Sequence, residues 1–335
     1  MNQEGNRFQS EQLMKIEYVA FDSFGVKSSC IFVETKDVKI VVDPGIAAET
    51  NSFPLPLEDR LALVEKYKKR IEVVCSKADV ITISHYHYDH YQPIKNWYKN
   101  KILLIKDFKN KINKSQQNRA KQFLQKVIPV AKEIKIADNN KFEFGNTEIK
   151  FSIPLWHGVK NTPLGHVLMT EISTKKEKLI HSSDIDGPSI SSYADLIIKE
   201  KPTLLILDGA PTYLLGYIHA YYNLCLAILN LRRIIKSGKV KKIILDHHAL
   251  RDYRYKDFYY LTFEDAKRNG VKLHTAAEEV GIEPRVLSGL KKYGKTKWKE
   301  WDKIREKNLK QILNNAEKND LLESKDIEMI KKEII

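Results

Sequence analysis

The stretch "ITISHYHYDHYQP", residues 81–93, decides how this chain is read. Three histidines and an aspartate (His85, His87, Asp89 and His90) fall within six positions, directly after the apolar run "DVITIS". Side chains two apart in extended chain point to the same side, so His85 and His87 can grip one ion. Asp89 and His90 follow where the chain tightens into a turn, and they can reach a second. Neutral imidazole nitrogens and carboxylate oxygens suit zinc and similar divalent metals. A lone histidine is more often a surface or satisfied core residue, and His181, His219 and His274 are read that way. H-x-H-x-D-H straight after a buried strand is rarely accidental.

Working outward, the same arrangement recurs. "KIVVD" ends at Asp43, "KFSIPLWH" at His157, "KLIHSSD" at Asp184, and "KIILDHH" at Asp246, His247 and His248. Side chains on the rims of rigid strands can converge on one point. Two ions roughly 3.5–4 Å apart can share a water and bring its pKa toward neutrality, which supplies hydroxide as a nucleophile.

The strands fit into a wider pattern. Residues 30–45 read as two strands around a turn, 57–78 as an amphipathic helix, 101–107 as a strand and 114–127 as a basic helix. Residues 141–158 read as a hairpin around Gly145–Asn146, 164–172 as a strand, and 216–238 as a long helix ending at a glycine. Strands dominate early and strand–loop units alternate with helices later. The expected architecture is α/β, with two mixed sheets face to face and helices outside, over residues 1–262. Residues 263–335 read as a lysine-rich helical appendage. Within it, "GLKKYGKTKWKEWDKIREKNLKQIL" is expected to be an amphipathic helix docking its aromatics on the core.

At 335 residues, 42% hydrophobic and 30% charged, the chain has the balance of a globular protein with a sizeable core. No apolar run reaches the ~18 residues of a membrane span, and the N-terminal stretch lacks the apolar core of a secretory signal. A cytoplasmic location is expected. Cys30, Cys75 and Cys225 are scattered without a C-x-x-C pair, which argues against a disulfide framework or a thiolate zinc site. The formal net charge is +14. Residues 95–135 carry 12 Lys and Arg against 2 Asp and Glu, so the excess gathers just after the histidine cluster.

On these residues the chain resembles the metallo-β-lactamase superfamily, whose αββα fold holds a dinuclear site. "DSFGVKSSCIFVETKDVKIVVDPG", "ISHYHYDH" and "SSDIDGP" look like the landmarks of an archaeal group of metal-dependent hydrolases within it. The resemblance implies two divalent metals, zinc first, with iron or manganese also suited. His85 and His87 would bind the first metal, completed by His157. Asp89 and His90 would bind the second, completed by the last motif's histidine, and Asp184 would bridge both. Asp43 would stand behind the histidines and orient them. The last histidine is His247 or His248. The ligand in "VITISH" is the first histidine after its strand, so His247 is preferred, and His248 then faces the substrate as a proton donor. His166 in "LGHVLMT" rivals His157, but it looks like a substitution at a position that is commonly aromatic. Asp89 and His248 are the expected catalytic residues.

The superfamily's oxygen-reducing diiron members carry glutamate where this chain has His87, so the resemblance implies hydrolysis. The expected substrate is a phosphoester or another anionic ester, a small molecule or a nucleic acid, attacked by metal-bridging hydroxide. Lys114 and Arg119 of the basic helix, and Arg251 four residues after His247, could contact its phosphate oxygens; the bland alternative for the helix is a solvated lysine face. A carboxylic ester, thioester or lactone is the alternative substrate, and a metal-stabilised nucleic-acid-binding protein the alternative outside enzymes. No motif speaks to oligomeric state.

Overall fold

The computed structural model of the protein describes residues 14–297 and 300–334. Its strands run β1 (Lys15–Phe21), β2 (Ser29–Glu34), β3 (Lys39–Val42), β4 (Val80–Ile83), β5 (Ile102–Ile105), β6 (Glu133–Ile136), β7 (Lys141–Phe144), β8 (Thr147–Phe151), β9 (Leu155–Trp156), β10 (His166–Val167), β11 (Thr170–Ser173), β12 (Lys178–His181), β13 (Leu204–Leu207), β14 (Lys242–Leu245) and β15 (Lys272–His274). Two mixed sheets result. The first is β1-β2-β3-β4-β5-β6, and the second is β15-β14-β13-β12-β11-β8-β7, with β9 and β10 forming a separate ribbon. Each sheet has an antiparallel part and a parallel part: β3 to β6 run parallel in the first, β12 to β15 in the second.

The two-residue period of a strand explains the layers. In β12 to β14, Leu179, Ile206 and Ile244 join the core of the first sheet, while Ile180, Leu205, Leu207, Ile243 and Leu245 face a second core under helices. The sheets therefore stack face to face with helices outside, as expected. The helices are α1 (Leu57–Lys77), α2 (Lys114–Val127), α3 (Ser191–Glu200), α4 (Tyr221–Lys236), α5 (Tyr255–Phe258), α6 (Tyr260–Arg268), α7 (Ala276–Glu279), α8 (Arg285–Tyr293), α9 (Glu306–Lys318) and α10 (Ser324–Ile334). Among the described residues no helix is long and apolar enough to cross a membrane.

Several elements differ from the sequence expectation. The helix read from residue 216 begins at Tyr221. Residues before it form a short turn at Thr212–Leu214 and a loop closed by Gly216 N–H donating to the His219 carbonyl (2.9 Å). The strand read over 164–172 is two short strands in different sheets, β10 and β11. The boundary drawn after residue 262 falls inside α6, and β15 beyond it completes the edge of the second sheet. Val286, Ile304, Leu309, Leu313, Met329 and Ile330 sit in the same core as α4. The aromatic–lysine stretch is not one helix: α8 stops before Gly294, whose φ is +80°, and α9 starts at Glu306. Trp298 lies outside the described residues. Trp301 packs on the core and donates through Nε1 to Asp257 Oδ2 (2.7 Å).

Burial of Leu313 in the second core makes a test. Leu313→Ala should cost roughly 2–5 kcal/mol, seen as one shifted urea transition by circular dichroism and tryptophan fluorescence alike. A main transition left unmoved would mean that the C-terminal residues fold as a separate unit.

Candidate metal centre

The site is built where parallel strands of both sheets end. β3 and β4 are neighbours, so Asp43 follows one and Ser84 and His85 follow the other. Asp43 Oδ1 accepts from Ser84 N–H (2.8 Å) and Oδ2 from the Ser84 hydroxyl (2.5 Å). From the facing sheet, β12 delivers Ser183 and Asp184, β13 delivers Asp208, and β14 delivers Asp246 to His248. The chain leaves these strands sharply. Asp43, Ser183, Asp186 and His247 all have φ near +50°, a left-handed conformation that non-glycine residues hold only where surroundings enforce it. The turn after Asp43 presses so close to the histidine loop that a Cβ on Gly45 would lie 2.1 Å from His90 N.

Two groups of donor atoms face each other across Asp184. In the first, His85 Nε2 and His157 Nε2 each lie 3.1 Å from His87 Nδ1, and Asp184 Oδ2 stands 3.5 Å and 3.1 Å from the His85 and His157 nitrogens. In the second, His90 Nε2 and His247 Nε2 are 3.2 Å apart, with Asp184 Oδ1 3.1 Å and 3.4 Å away, and Asp89 Oδ2 3.9 Å from His247. The donor atoms of His85, His87, His157 and Asp184 lie within 4.8 Å of one another, as do those of Asp89, His90 and His247. One carboxylate thus turns one oxygen to each set.

Neighbours behind the rings fix the tautomers. His90 Nδ1 donates to Asp43 Oδ2 (2.9 Å) and His247 Nδ1 to Asp22 Oδ2 (2.6 Å). The Ser84 hydroxyl gives its proton to Asp43, so its oxygen accepts from His85 Nδ1 (3.0 Å). In the neutral rings, His85, His90 and His247 then all present Nε2 lone pairs inward. Two such lone pairs 3.2 Å apart repel unless a proton or a metal ion lies between them, and Asp184 Oδ1 meets only these same imidazole nitrogens. This donor set fits divalent metals.

Electrostatics divide the rings: burial opposes charge on His90 and His247, but Asp184 and Asp43 outweigh it for His90, raising its pKa well above the usual value, and Asp22 does so for His247. Burial, then His90, pushes the pKa of His85 well below its usual value; burial, then His157, takes that of His87 down to about 3. Both rings are neutral at physiological pH, the state a metal requires. Burial works against ionisation of Asp184, but His90, His248 and His247 outweigh it and hold its carboxyl well below the usual range.

The comparisons meet this geometry. Residues 24–232 match the model of the metallo-beta-lactamase superfamily. This chain belongs to the metallo-β-lactamase superfamily. The UPF0282 protein MJ1629 of Methanocaldococcus jannaschii is 40% identical, covering 83% of this chain and 96% of its own length. UPF0282 protein MK0213 of Methanopyrus kandleri is 35% identical, over 82% and 96%. Relatives at this identity place the chain in the archaeal UPF0282 group. Among solved structures it is similar to Igni18, a metallo hydrolase of Ignicoccus hospitalis, at 15% identity and TM-score 0.46, over 81% and 95% of the two chains.

In this metallo-β-lactamase fold both rival histidines lie within ligating distance of Asp184, but their other neighbours differ. His247 joins Asp89 and His90, whereas His248 turns Nε2 toward Asp184 Oδ2 (3.5 Å) and Nδ1 toward Asp208 Oδ2 (3.2 Å) and Asp186 Oδ1 (3.5 Å). His166 is in none of the clusters found among the described residues; its ring packs against Trp156, tilted by 30°, with centroids 4.1 Å apart. His181 is an ordinary core residue, bonded to the Ser29 carbonyl (2.8 Å), and His274 pairs with Glu279 (2.6 Å). His219 is not ordinary: it is buried with Nδ1 3.5 Å from Asp186 Oδ2.

The three residues expected to meet substrate fare differently. Lys114 is exposed. Arg119 instead braces the histidine loop, donating to the Tyr86 carbonyl (2.8 Å) and the Ser115 hydroxyl (2.9 Å). Arg251 is buried, bound to Asp22, Tyr213 and Asp89. Sequence reasoning missed Asp22, Asp186, Asp208 and Tyr213. The signal for Asp22 and Asp208 was present, since each follows an apolar strand just as Asp43 does.

His157 and His166 can be told apart by metal content. His157→Ala should lose bound metal by elemental analysis of the purified chain. His166→Ala should keep it and lose only some stability. The reverse pattern would exchange their roles.

Proposed function

We propose that the chain is a dinuclear metal-dependent hydrolase acting on a phosphoester or another anionic ester. The observation that carries this is the split of Asp184, with each oxygen turned to a different imidazole set. His85, His87, His157 and Asp184 would hold one ion, and Asp89, His90, His247 and Asp184 the other, zinc being the first candidate on ligand chemistry. When bound, the ions would supply Lewis acidity and an ionised water near neutral pH.

The chain's own groups do the rest. Asp43 and Asp22 hold His90 and His247 in the tautomer that binds. His248 sits on the other side of Asp184 with Nδ1 between Asp208 and Asp186. Burial opposes its positive charge, but Asp184, Asp186 and Asp208 outweigh that and raise its pKa well above the usual value. A proton kept on His248 is thereby available at Nε2 for the leaving oxygen. The anionic substrate is supported by a positive group near the residue that backs Arg251: Lys297 donates to the Tyr213 carbonyl (3.4 Å), and the Tyr213 hydroxyl meets Arg251.

Metal-loaded protein should hydrolyse bis(p-nitrophenyl) phosphate, and Asp89→Ala should abolish turnover without unfolding the chain. His248→Ala should keep its metal and lose roughly 10²–10⁴-fold in kcat, the range of a positioned general acid. Turnover of p-nitrophenyl acetate or a lactone with none of the phosphodiester would move the substrate to carboxylic esters. Salt-dependent RNA binding without any turnover would make the protein a binding module instead.

A further inference from the structure

Arg251 lies where a second ion would have to compete with it. Its Nη2 donates to Asp89 Oδ2 (3.0 Å) and lies 3.3 Å from His247 Nε2. These are two of the three donor atoms that the second group offers besides Asp184. A guanidinium is charged at every accessible pH, so this competitor never titrates away. Nor does it swing aside cheaply. The side chain is buried, at 5% exposure. Its Nε donates to Asp22 Oδ1 (2.6 Å) and its Nη1 to the Tyr213 hydroxyl (3.1 Å), with the guanidinium 5.7 Å from the Tyr213 ring centre.

The first group differs. Among the described residues, its nitrogens meet only one another, Asp184 and the serine hydroxyls behind His85, and no lysine or arginine is paired with them. The two groups share Asp184, so the contrast between them rests on what else each faces. One faces imidazoles but no permanent cation; the other faces a guanidinium bonded to its Asp89 and held close to its His247.

We infer that the two sites load unequally, with Arg251 holding the second as a weak site beside a tight first one. The inference rests on the metal reading of the site given above. It assigns Arg251 a positioning role toward the metals, in place of a direct contact with substrate phosphate.

The test is equilibrium dialysis of the chelator-stripped full chain against zinc, with bound metal counted by elemental analysis. Wild type should take up one ion tightly and a second at least roughly ten-fold more weakly. His247→Ala should abolish the weak step and spare the tight one. Arg251→Met should strengthen the second step at least roughly ten-fold and leave the first nearly unchanged. Arg251→Gln, which keeps a donor for Asp22, serves the same purpose should the methionine variant not fold. Two equal sites in wild type, or a second step indifferent to Arg251, would overturn the inference while leaving the metal reading intact. A wild-type chain that binds no zinc would overturn the metal reading itself.

Discussion

Imidazole lone pairs held face to face around one buried carboxylate are the constraint on which the rest of this structure depends. Nothing in the local chain favours such a convergence. His85, His90 and His157 are 5% exposed or less, and burying unpaired polar nitrogens is unfavourable. The arrangement persists because each ring is fixed from behind and each backbone segment is fixed by a sheet. β3 and β4 pair in parallel and set Asp43 beside the histidine loop. β12, β13 and β14 do the same for Asp184, Asp208 and His247. The left-handed residues Asp43, Ser183, Asp186 and His247 mark where the chain turns off these strands, and apolar layers on both faces of the second sheet hold the strain there.

The histidine loop is braced from a second direction by the element that looked most like a ligand surface. Gln116 of α2 is fully buried; it accepts from Tyr86 N–H (2.9 Å) and donates to the Leu164 carbonyl (2.7 Å). Arg119, one turn on, holds the Tyr86 carbonyl. Just before this helix, Lys106 is fully buried and paired with Asp138 (2.5 Å). Part of the positive charge after the histidine cluster therefore organises the site from within, while Lys114, Lys121 and Lys126 remain exposed.

What the sequence made legible was local. His85, His87, Asp89 and His90 lie within six positions, and the apolar runs before Asp43, Asp184 and His247 announce strands whatever they pair with. The two-sheet architecture follows from those runs and their two-residue period. Less legible were the relations between distant residues. Asp22 meets His247 and Arg251 across more than 220 positions, and Asp208 faces His248 only because β13 and β14 are neighbours. The boundary at residue 262 failed to anticipate β15 for a related reason. A three-residue strand at a sheet edge carries no run long enough to stand out, and what recruits it is the exposed edge of β14. His219 looked unremarkable because its interest lies in Asp186, which the chain brings beside it only after a long excursion through α3 and β13.

The partners behind the rings also differ in kind, and the difference has a chemical consequence. His85 is backed by a serine hydroxyl, whereas His90 and His247 are backed by carboxylates. A carboxylate behind an imidazole makes its far nitrogen the more basic and the stronger donor. On that ground alone the second group would be the better metal site. Asp22 also binds Arg251, and so it fixes a cation against the ring whose donor strength it raises. The two effects oppose each other within one hydrogen-bonded unit of Asp22, His247 and Arg251. Asp22 cannot move without altering both, so on the proposed two-ion reading this buried aspartate, far from Asp184 in sequence, would couple the donor strength of His247 to the position of Arg251.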